Sequence, residues 1–578
     1  MMKRLLIANR GEIAIRVIRA CAESGIESVA VFSAVDADAP HVKAADRAVA
    51  IGPAPARDSY LSIPKLLEAA RSSNADAIHP GYGFLSENAG FANACAEAGL
   101  IFVGPPAGVI AQMGSKINAR RLVESAGVPV VPGETPADQT DRGIRAAIER
   151  IGLPALIKAS AGGGGKGMRH VHAVGDIDES IQAARREATA AFGNGELYVE
   201  RLVSRPRHVE VQVFADDHGQ IVHLFERDCS TQRRHQKVIE ESPSLALSPS
   251  LRARMTDAAV AAARAADYRN AGTIEFLVDG DRFYFLEMNT RLQVEHPVTE
   301  QVTGLDLVRA QILVANGEPL PWTQAAISQR GHAIEARLYA EDPTQGFLPQ
   351  AGRLTRYREP QRPGIRVDAG IADGSEVSVY YDPMIAKVIA TAETRSLAVA
   401  RLTTALREFE IAGVRTNRLF LVRILESDAF RNGAIDTAYL DRDGAALTAL
   451  AVEDARIASS HSQPADPQST NPQPVIRDPQ SYDPWNPGAK AARAKAPSST
   501  RRAATSAAAA LIAPMPATVI RVKVRPGDPV TKGDVLVVLE AMKMELPLRA
   551  LGDGVVSAVR CREGELVQAD ATLVEFAA

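Results

Sequence analysis

Three short stretches of the chain carry residue types and spacings suited to chemistry. Glycines 162 to 165, followed by Lys166, Gly167 and Met168, lie between an apolar run ending in Ile157-Lys158 and a strand-like run, Met168 to Val171. A glycine run lets backbone N–H groups approach phosphate oxygens with no side chain in the way. Gly167 stands where a Walker A loop would place Ser or Thr, and a strand rather than a helix follows, which also argues against a dinucleotide fingerprint. The second stretch has Glu275 in the strand-like Thr273-Ile274-Glu275-Phe276-Leu277, with Glu287 and Asn289 sharing one face of Phe283 to Asn289 by the period of two. Two carboxylates and an amide oxygen on adjacent strands suit Mg²⁺ (or Mn²⁺), a hard ion that takes oxygen ligands and bridges nucleotide phosphates. Apolar neighbours on both sides argue against reading these glutamates as solvated strand residues. The third stretch is Ala541-Met542-Lys543-Met544-Glu545, near the C-terminus.

The surroundings of Lys543 repeat at an offset of 37, with Val522 over Val559, Gly527 over Gly564, Asp528 over Glu565, Val530 over Val567 and Leu536 over Leu573. Each copy reads as short Val- and Leu-rich strands broken by a Gly-acid turn. Two such halves predict a flattened barrel of approximate two-fold symmetry with Lys543 at the exposed tip of the hairpin between them, accessible to a modifying enzyme. Residues 511–577 thereby resemble the biotinyl and lipoyl carrier family, and the methionine on each side of the lysine matches the biotin branch. Order of strand, glycine loop and strand around 162–167 resembles the nucleotide lid of ATP-grasp enzymes.

Composition sets bounds on the rest. A chain of 578 residues exceeds one core, and three or four domains are expected. Net charge of -3 and a pI near 6.5 give no case for nucleic acid or an anionic membrane. The N-terminal apolar run, Leu5 to Ala8, is too short for a signal peptide, and no stretch approaches a membrane span. Cys21, Cys95, Cys229 and Cys561 are scattered without a CxxC pair, which fits a reducing cytoplasm and small buried hydrophobes rather than a zinc site.

The elements that must position these groups begin with a strand (Arg4 to Ala8), a helix from about Gly11 with Ala14, Val17, Ile18 and Cys21 on one face, and a strand from Ser28 to Ser33, the opening of a parallel α/β layer. Further strands are expected at Ala77-Ile78-His79 and Leu100 to Val103. Mixed α/β pattern continues to about 445. From 447 to 510 Ala, Pro, Ser, Asn, Gln and Asp dominate, as in Gln463-Pro464-Ala465-Asp466-Pro467-Gln468, and a disordered tether spanning roughly 40 to 50 Å is expected.

Residues 2 to 445 closely resemble the biotin carboxylases. The matching segments are Ile7-Ala8-Asn9-Arg10-Gly11-Glu12-Ile13-Ala14, His79 to Asn88 (HPGYGFLSEN), Glu226 to Lys237 (ERDCSTQRRHQK) and Glu287 to His296 (EMNTRLQVEH). The resemblance implies that Lys116 and Lys158 hold the phosphates of ATP while Gly163, Gly164 and Gly165 close over them. Glu200, Arg201, Val203 and Leu277 would line the nucleotide site on the adenine side, with His208, Gln232 and His235 near the ribose and phosphates. Glu275, Glu287 and Asn289 would bind the metal. Lys237, Arg291, Gln293, Val294 and Glu295 would cup bicarbonate, with Glu295 the base, and Arg337 would face the biotin ring. Taken singly, any of these side chains could be structural; their occurrence together and in order supports the functional reading.

The fold this implies is α/β: a biotin carboxylase with a Rossmann-like N-terminal subdomain (1–115), an ATP-grasp subdomain (116–318) and an α+β C-terminal subdomain (331–446), then a linker (447–510) and a small all-β barrel-sandwich biotinyl domain (511–577). The implied activity is ATP-dependent carboxylation of biotin carried on Lys543, the first half-reaction of an acetyl- or propionyl-CoA carboxylase of the α-subunit type. Bicarbonate, a separate carboxyltransferase β-subunit, a biotin protein ligase and a second copy of the carboxylase region are the expected partners. A pyruvate, methylcrotonyl-CoA or urea system, another ATP-grasp ligase, or a carrier without activity of its own are the alternatives.

Overall fold

The computed structural model describes residues 2–160, 168–461, 510–542 and 544–577. They divide into two compact units, the first running through Val452 and the second holding the C-terminal strands. In the first unit, strands Arg4–Ile7, Glu27–Ser33, Arg47–Gly52, Ala77–His79 and Ile101–Phe102 form a five-stranded sheet in which every pairing is parallel. Its central strands Arg4–Ile7 and Glu27–Ser33 read as nearly continuous apolar runs because both their faces are covered, and Leu5, Leu6 and Ile7 are fully enclosed. Helix Gly11–Glu23 buries Ile13, Ala14, Val17, Ile18 and Cys21 on the face its periodicity marks. The loops that leave the carboxyl ends of Arg4–Ile7 and Ala77–His79 carry Asn9, Arg10, Tyr82 and Phe84, the edge where open α/β sheets bind ligands.

An eight-stranded antiparallel sheet forms the centre of this unit, in the order Arg282–Asn289, Asn270–Asp279, Arg207–Ala215, Ile221–Arg233, Gln236–Ser242, His332–Tyr339, Met384–Ala392, Ile365–Ala369. Strand Gln236–Ser242 pairs with His332–Tyr339, so residues on either side of position 320 share one continuous ladder. A smaller four-stranded sheet (Gly133–Glu134, Leu197–Arg201, Ala155–Ala159, Arg169–Val171) flanks the glycine run, which itself lies outside the described residues.

Helix Tyr439–His461 corrects the position at which the polar linker is expected to begin. Ala445, Ala446, Leu447, Ala449 and Leu450 are strong helix formers, and Leu447 and Ala451, one turn apart, pack inward, so the helix passes 447 without interruption. The remainder of the linker, 462–509, lies outside the described residues. All four cysteines are buried and free. Among the described residues no helix is long and apolar enough to cross a membrane.

In the second unit, two four-stranded sheets run in the orders Ala510–Ile512, Thr572–Phe576, Gly554–Val559, Pro529–Val530 and Met544–Arg549, Val535–Ala541, Ala517–Val522, Leu566–Val567. Shifting each strand by the 37-residue repeat exchanges one sheet for the other, which is the expected two-fold relation. Gly527 and Gly564, the paired turn glycines, both sit at positive φ (96° and 86°), a conformation costly to residues with a Cβ. Lys543, at the junction of the two copies, lies outside the described residues.

Leu402, fully buried on helix Arg395–Glu408, contacts the core behind the eight-stranded sheet. Leu402→Ala is expected to lower the stability of this unit by about 2–5 kcal/mol, read as an earlier first transition in urea unfolding; an unshifted transition would show that this helix is not coupled to the core.

Candidate functional site

Strand Arg207–Ala215 alternates Val209, Val211 and Val213 with His208, Glu210 and Gln212. The valines enter a core with Met255, Ile274 and Phe276, which sends the polar residues to the other face of the sheet. Register then assembles the site: Glu210 lies opposite both Arg227 and Glu275, and Glu275 lies opposite Glu287. Directly paired residues point to the same face, so one surface of the sheet carries all four.

Lys237 is the centre of this surface. Its Nζ donates to Glu210 Oε2 at 2.6 Å, Glu275 Oε1 at 2.8 Å and Glu295 Oε1 at 2.6 Å. Arg227, with no exposed surface, donates through Nε to Glu210 Oε1 at 2.6 Å and through Nη2 to the Gln293 amide oxygen at 2.8 Å. Arg337 donates from Nε to Glu240 Oε1 at 2.6 Å and from Nη2 to Glu295 Oε2 at 2.9 Å. Burial opposes ionisation of Glu295, but the charges of Lys237, Arg337 and Arg227 outweigh it and hold the carboxyl well below the usual range. Glu295 is thus a carboxylate with a cation on each oxygen.

At one end of this network Arg291 donates from Nη2 to Asn289 Oδ1 and from Nε to Glu87 Oε2, each at 2.9 Å. Gln293 Nε2 donates to Glu275 Oε1 at 2.9 Å, and the Val294 carbonyl accepts from the buried Lys387 Nζ at 2.8 Å. Arg291, Val294 and Arg337, with Tyr82, Tyr339 and Met384, line a cavity of about 270 Å³. The five residues expected to cup bicarbonate therefore lie in one network, and two of them, Arg291 and Val294, line the same cavity as Arg337.

The residues expected to hold the nucleotide come from the four-stranded sheet, from helix Lys116–Ser125 and from the neighbouring strands of the eight-stranded sheet. Lys158 is buried and donates to Glu200, which also accepts from Arg120 at 2.8 Å. Lys116 opens helix Lys116–Ser125; desolvation and the Lys158 charge lower its pKa, while Glu287 raises it. Val203 and Leu277 meet Val131 and Tyr284 in a small apolar cluster, and Arg201 donates to the Tyr284 hydroxyl at 2.8 Å. His208 shares 2.8 Å with Glu275, and Gln232 is buried beside Lys237 in the ladder. His235 sits exposed at the tip of the hairpin joining Ile221–Arg233 to Gln236–Ser242, where Arg234 and His235 both have positive φ, the backbone of a type I′ turn.

The residues expected to bind metal fit a hard cation. Glu275 and Glu287 face one another across the ladder, and Asn289 lies within hydrogen-bond reach of Glu275 at 2.9 Å. Desolvation and the Glu275 charge push the Glu287 carboxyl up, although its side chain stands open to the cleft; a divalent ion between the two would relieve that repulsion.

The sequence reading passed over Glu210, Arg227, Glu240, Glu335 and Lys387, all with no exposed side-chain surface. The signal for Glu210 is plain in hindsight, since three polar residues alternating with valines predict a strand with a functional face. Lys387 lies in an otherwise apolar strand and becomes visible only when register sets it opposite Arg337, and Glu335 gains its partner only when register sets it opposite Glu240.

Known families and relatives match the chain over most of its length. Family models described as biotin carboxylase N-terminal domain, carbamoyl-phosphate synthase L chain ATP binding domain, biotin carboxylase C-terminal domain and biotin-requiring enzyme match residues 1–110, 115–323, 335–442 and 509–576. A biotin carboxylase of Halalkalibacterium halodurans is 50% identical over 441 residues, covering 76% of this chain and 97% of that protein. The methylcrotonoyl-CoA carboxylase subunit alpha of Glycine max is 51% identical over 442 residues, and this chain spans only 60% of its length. Among solved structures, a Campylobacter jejuni biotin carboxylase complex is 44% identical with a TM-score of 0.74, covering 76% of this chain and 99% of that one. The biotin carboxylase domain dimer of Hydrogenobacter thermophilus 2-oxoglutarate carboxylase, in complex with MgADP, ADP and bicarbonate, has the same identity and TM-score, covering 77% and 99%.

Replacing Lys237 by Met leaves three buried carboxylates without their shared donor and is expected to destabilise the protein by about 3–5 kcal/mol at neutral pH. In the unsubstituted protein the lowered Glu295 pKa contributes stability above the unfolded value of about 4.3 and loses it below. Without Lys237 the carboxyls titrate upward and bind protons on folding. The gap between the urea midpoints of the two proteins should therefore be wide at pH 7 and narrow toward pH 5; a constant gap would contradict the ionic account.

Proposed function

The chain belongs to the biotin carboxylase family, and on that premise we propose that it carboxylates biotin attached to its own Lys543, using ATP and bicarbonate, as the first half-reaction of an acyl-CoA carboxylase. The observation that carries this reading is Glu295, ionised between Lys237 and Arg337 at a cavity bordered by Arg291 and Val294.

Bicarbonate enters against Arg291, Gln293 and Val294, where the charges of Lys237 and Arg291 draw it in. As the anion claims Lys237, that ammonium leaves Glu295, whose basicity rises as the compensating charge moves away. Glu295 then takes the bicarbonate proton, and the freed oxygen attacks the γ-phosphorus of ATP. One bond forms from that oxygen to phosphorus as the bond to the ADP oxygen breaks, giving carboxyphosphate and ADP, with Lys116 and Lys158 holding charge on the phosphates. A Mg²⁺ ion held by Glu275, Glu287 and Asn289 would supply further charge at the transferring group. Carboxyphosphate separates into CO₂ and phosphate, that phosphate takes the N1′ proton of biotin, and N1′ forms its bond to the carbon of CO₂ while Arg337, always protonated, holds the negative charge developing on the ring oxygen.

The carrier unit brings biotin to this site, after a biotin protein ligase has attached it. A separate carboxyltransferase β-subunit then moves the carboxyl group to an acyl-CoA, with the carboxylase region acting as a dimer. Acetyl- or propionyl-CoA is the acceptor on this reading. The identity shared with a methylcrotonoyl-CoA carboxylase subunit alpha favours a branched unsaturated acyl-CoA as the second reading, and assaying the three with the co-purified β-subunit separates them. Free, buried cysteines suit the cytoplasm.

Glu295→Gln should lower bicarbonate-dependent ADP release by about a hundredfold or more while leaving ATP binding intact; unchanged release would remove Glu295 as the base. Lys543→Arg should abolish the streptavidin signal of the expressed protein, and a retained signal would overturn the carrier assignment.

A further inference from the structure

Behind Arg337, the face of the sheet that turns toward Glu295 carries two acids that the mechanism above does not use. Glu240 and Glu335 are direct cross-strand partners, and neither has any exposed surface. Glu240 Oε1 receives Arg337, but among the described residues no donor reaches Glu240 Oε2 or either oxygen of Glu335. Three buried carboxyl oxygens without a donor on adjacent residues are costly if both groups are ionised, and a single bound proton relieves both the repulsion and the missing donor.

We propose that Glu240 and Glu335 share one proton, directly or through one buried water, and that its position sets how firmly Arg337 is held. With Glu240 ionised, the guanidinium is fixed by charge from behind and aimed at the cavity. With the proton on Glu240, that hold weakens. Glu240 is then a positioning residue for Arg337 and Glu335 the partner that tunes it; this deepens the reading that Arg337 faces the biotin ring and rests on it.

The charged and titratable groups around the pair are consistent with one proton. Arg337 and Tyr339 flank Glu335 on its own strand, and Lys237 lies on the strand of Glu240. Lys387, opposite Arg337 on the next strand, is the other cation acting on Glu335, and its charge is already divided with Glu12 at 3.0 Å and Asp368 at 3.8 Å. From the turn and helix above, Glu295 adds negative charge and His296 is held neutral by burial beside Lys387. Cys229, from the neighbouring strand, stays a thiol, pushed up by burial and by these acids. Burial, against the pull of Arg337, pushes Glu240 up to about 7, and burial, with Glu240 adding to it, pushes Glu335 well above the carboxylate range.

The test compares the unsubstituted protein with Glu335→Gln and Glu240→Gln. Infrared titration of the unsubstituted protein needs no turnover: a protonated-carboxyl stretch present near neutral pH should fade as pH rises and be missing in E335Q. In free-biotin carboxylation, kcat/KM for biotin should rise with pH as Glu240 ionises. As the pair loses its last proton two carboxylates come to face each other; glutamine at 335 removes that repulsion, so Glu240 ionises earlier and the limb moves down by about one pH unit. E240Q should lose the limb and at least tenfold in kcat while the KM for ATP stays unchanged. Superposable pH profiles for E335Q and the unsubstituted protein, or no protonated-carboxyl band in the latter, would overturn the proposal. Absence of bicarbonate-dependent ATP cleavage in the unsubstituted protein would instead defeat the functional reading and leave the infrared result standing.

Discussion

A single ammonium shared by three buried carboxylates is the constraint on which the site depends. Lys237 reaches Glu210, Glu275 and Glu295 within 2.8 Å, and each of these acids has a second cationic or polar partner: Arg227, His208 and Arg337 respectively. Removing water from charges of this kind costs several kcal/mol per ion unless the pairing is complete. Pairing here is nearly complete, so the cluster is tolerated, but its stability is borrowed from groups that the substrate anion must partly displace.

The continuous eight-stranded sheet is what allows that arrangement. Glu210 and Glu275 come from strands on one side of Gln236–Ser242, Arg337 and Glu335 from the other, and Lys237 and Glu240 from that strand itself. Registers fixed by valine-rich faces on the opposite side place six ionisable groups with strand-like precision, whereas a loop-borne site would allow each a wider range. Arg291 to Glu295 complete the site from the turn after Arg282–Asn289, anchored by Lys387 through the Val294 carbonyl.

Much of this was legible in residue order. The period of two put Glu287 and Asn289 on one face, the 37-residue repeat implied two exchangeable sheets, and the first helix buries the residues its periodicity marks. Local pattern could not reveal partners that only register creates. Lys387 looks like a misplaced charge in an apolar strand until it is seen beside Arg337, Glu335 gains its partner only opposite Glu240, and Glu210 takes on meaning only opposite Arg227 and Glu275. Low apolar content was read as the end of the fold at 447, but a stretch of good helix formers with Leu447 and Ala451 on one face extended the last helix to His461. Composition alone does not weigh helix propensity against a thin apolar stripe.

The central claim is that this ionic cluster turns bicarbonate into the nucleophile that attacks ATP. Following oxygen-labelled bicarbonate through one turnover of the biotinylated full-length protein tests it most directly. If bicarbonate oxygen attacks the γ-phosphorus, the inorganic phosphate released carries one labelled oxygen. Phosphate released without label would mean that water is the nucleophile, and would contradict the account built on Lys237, Glu295 and Arg337.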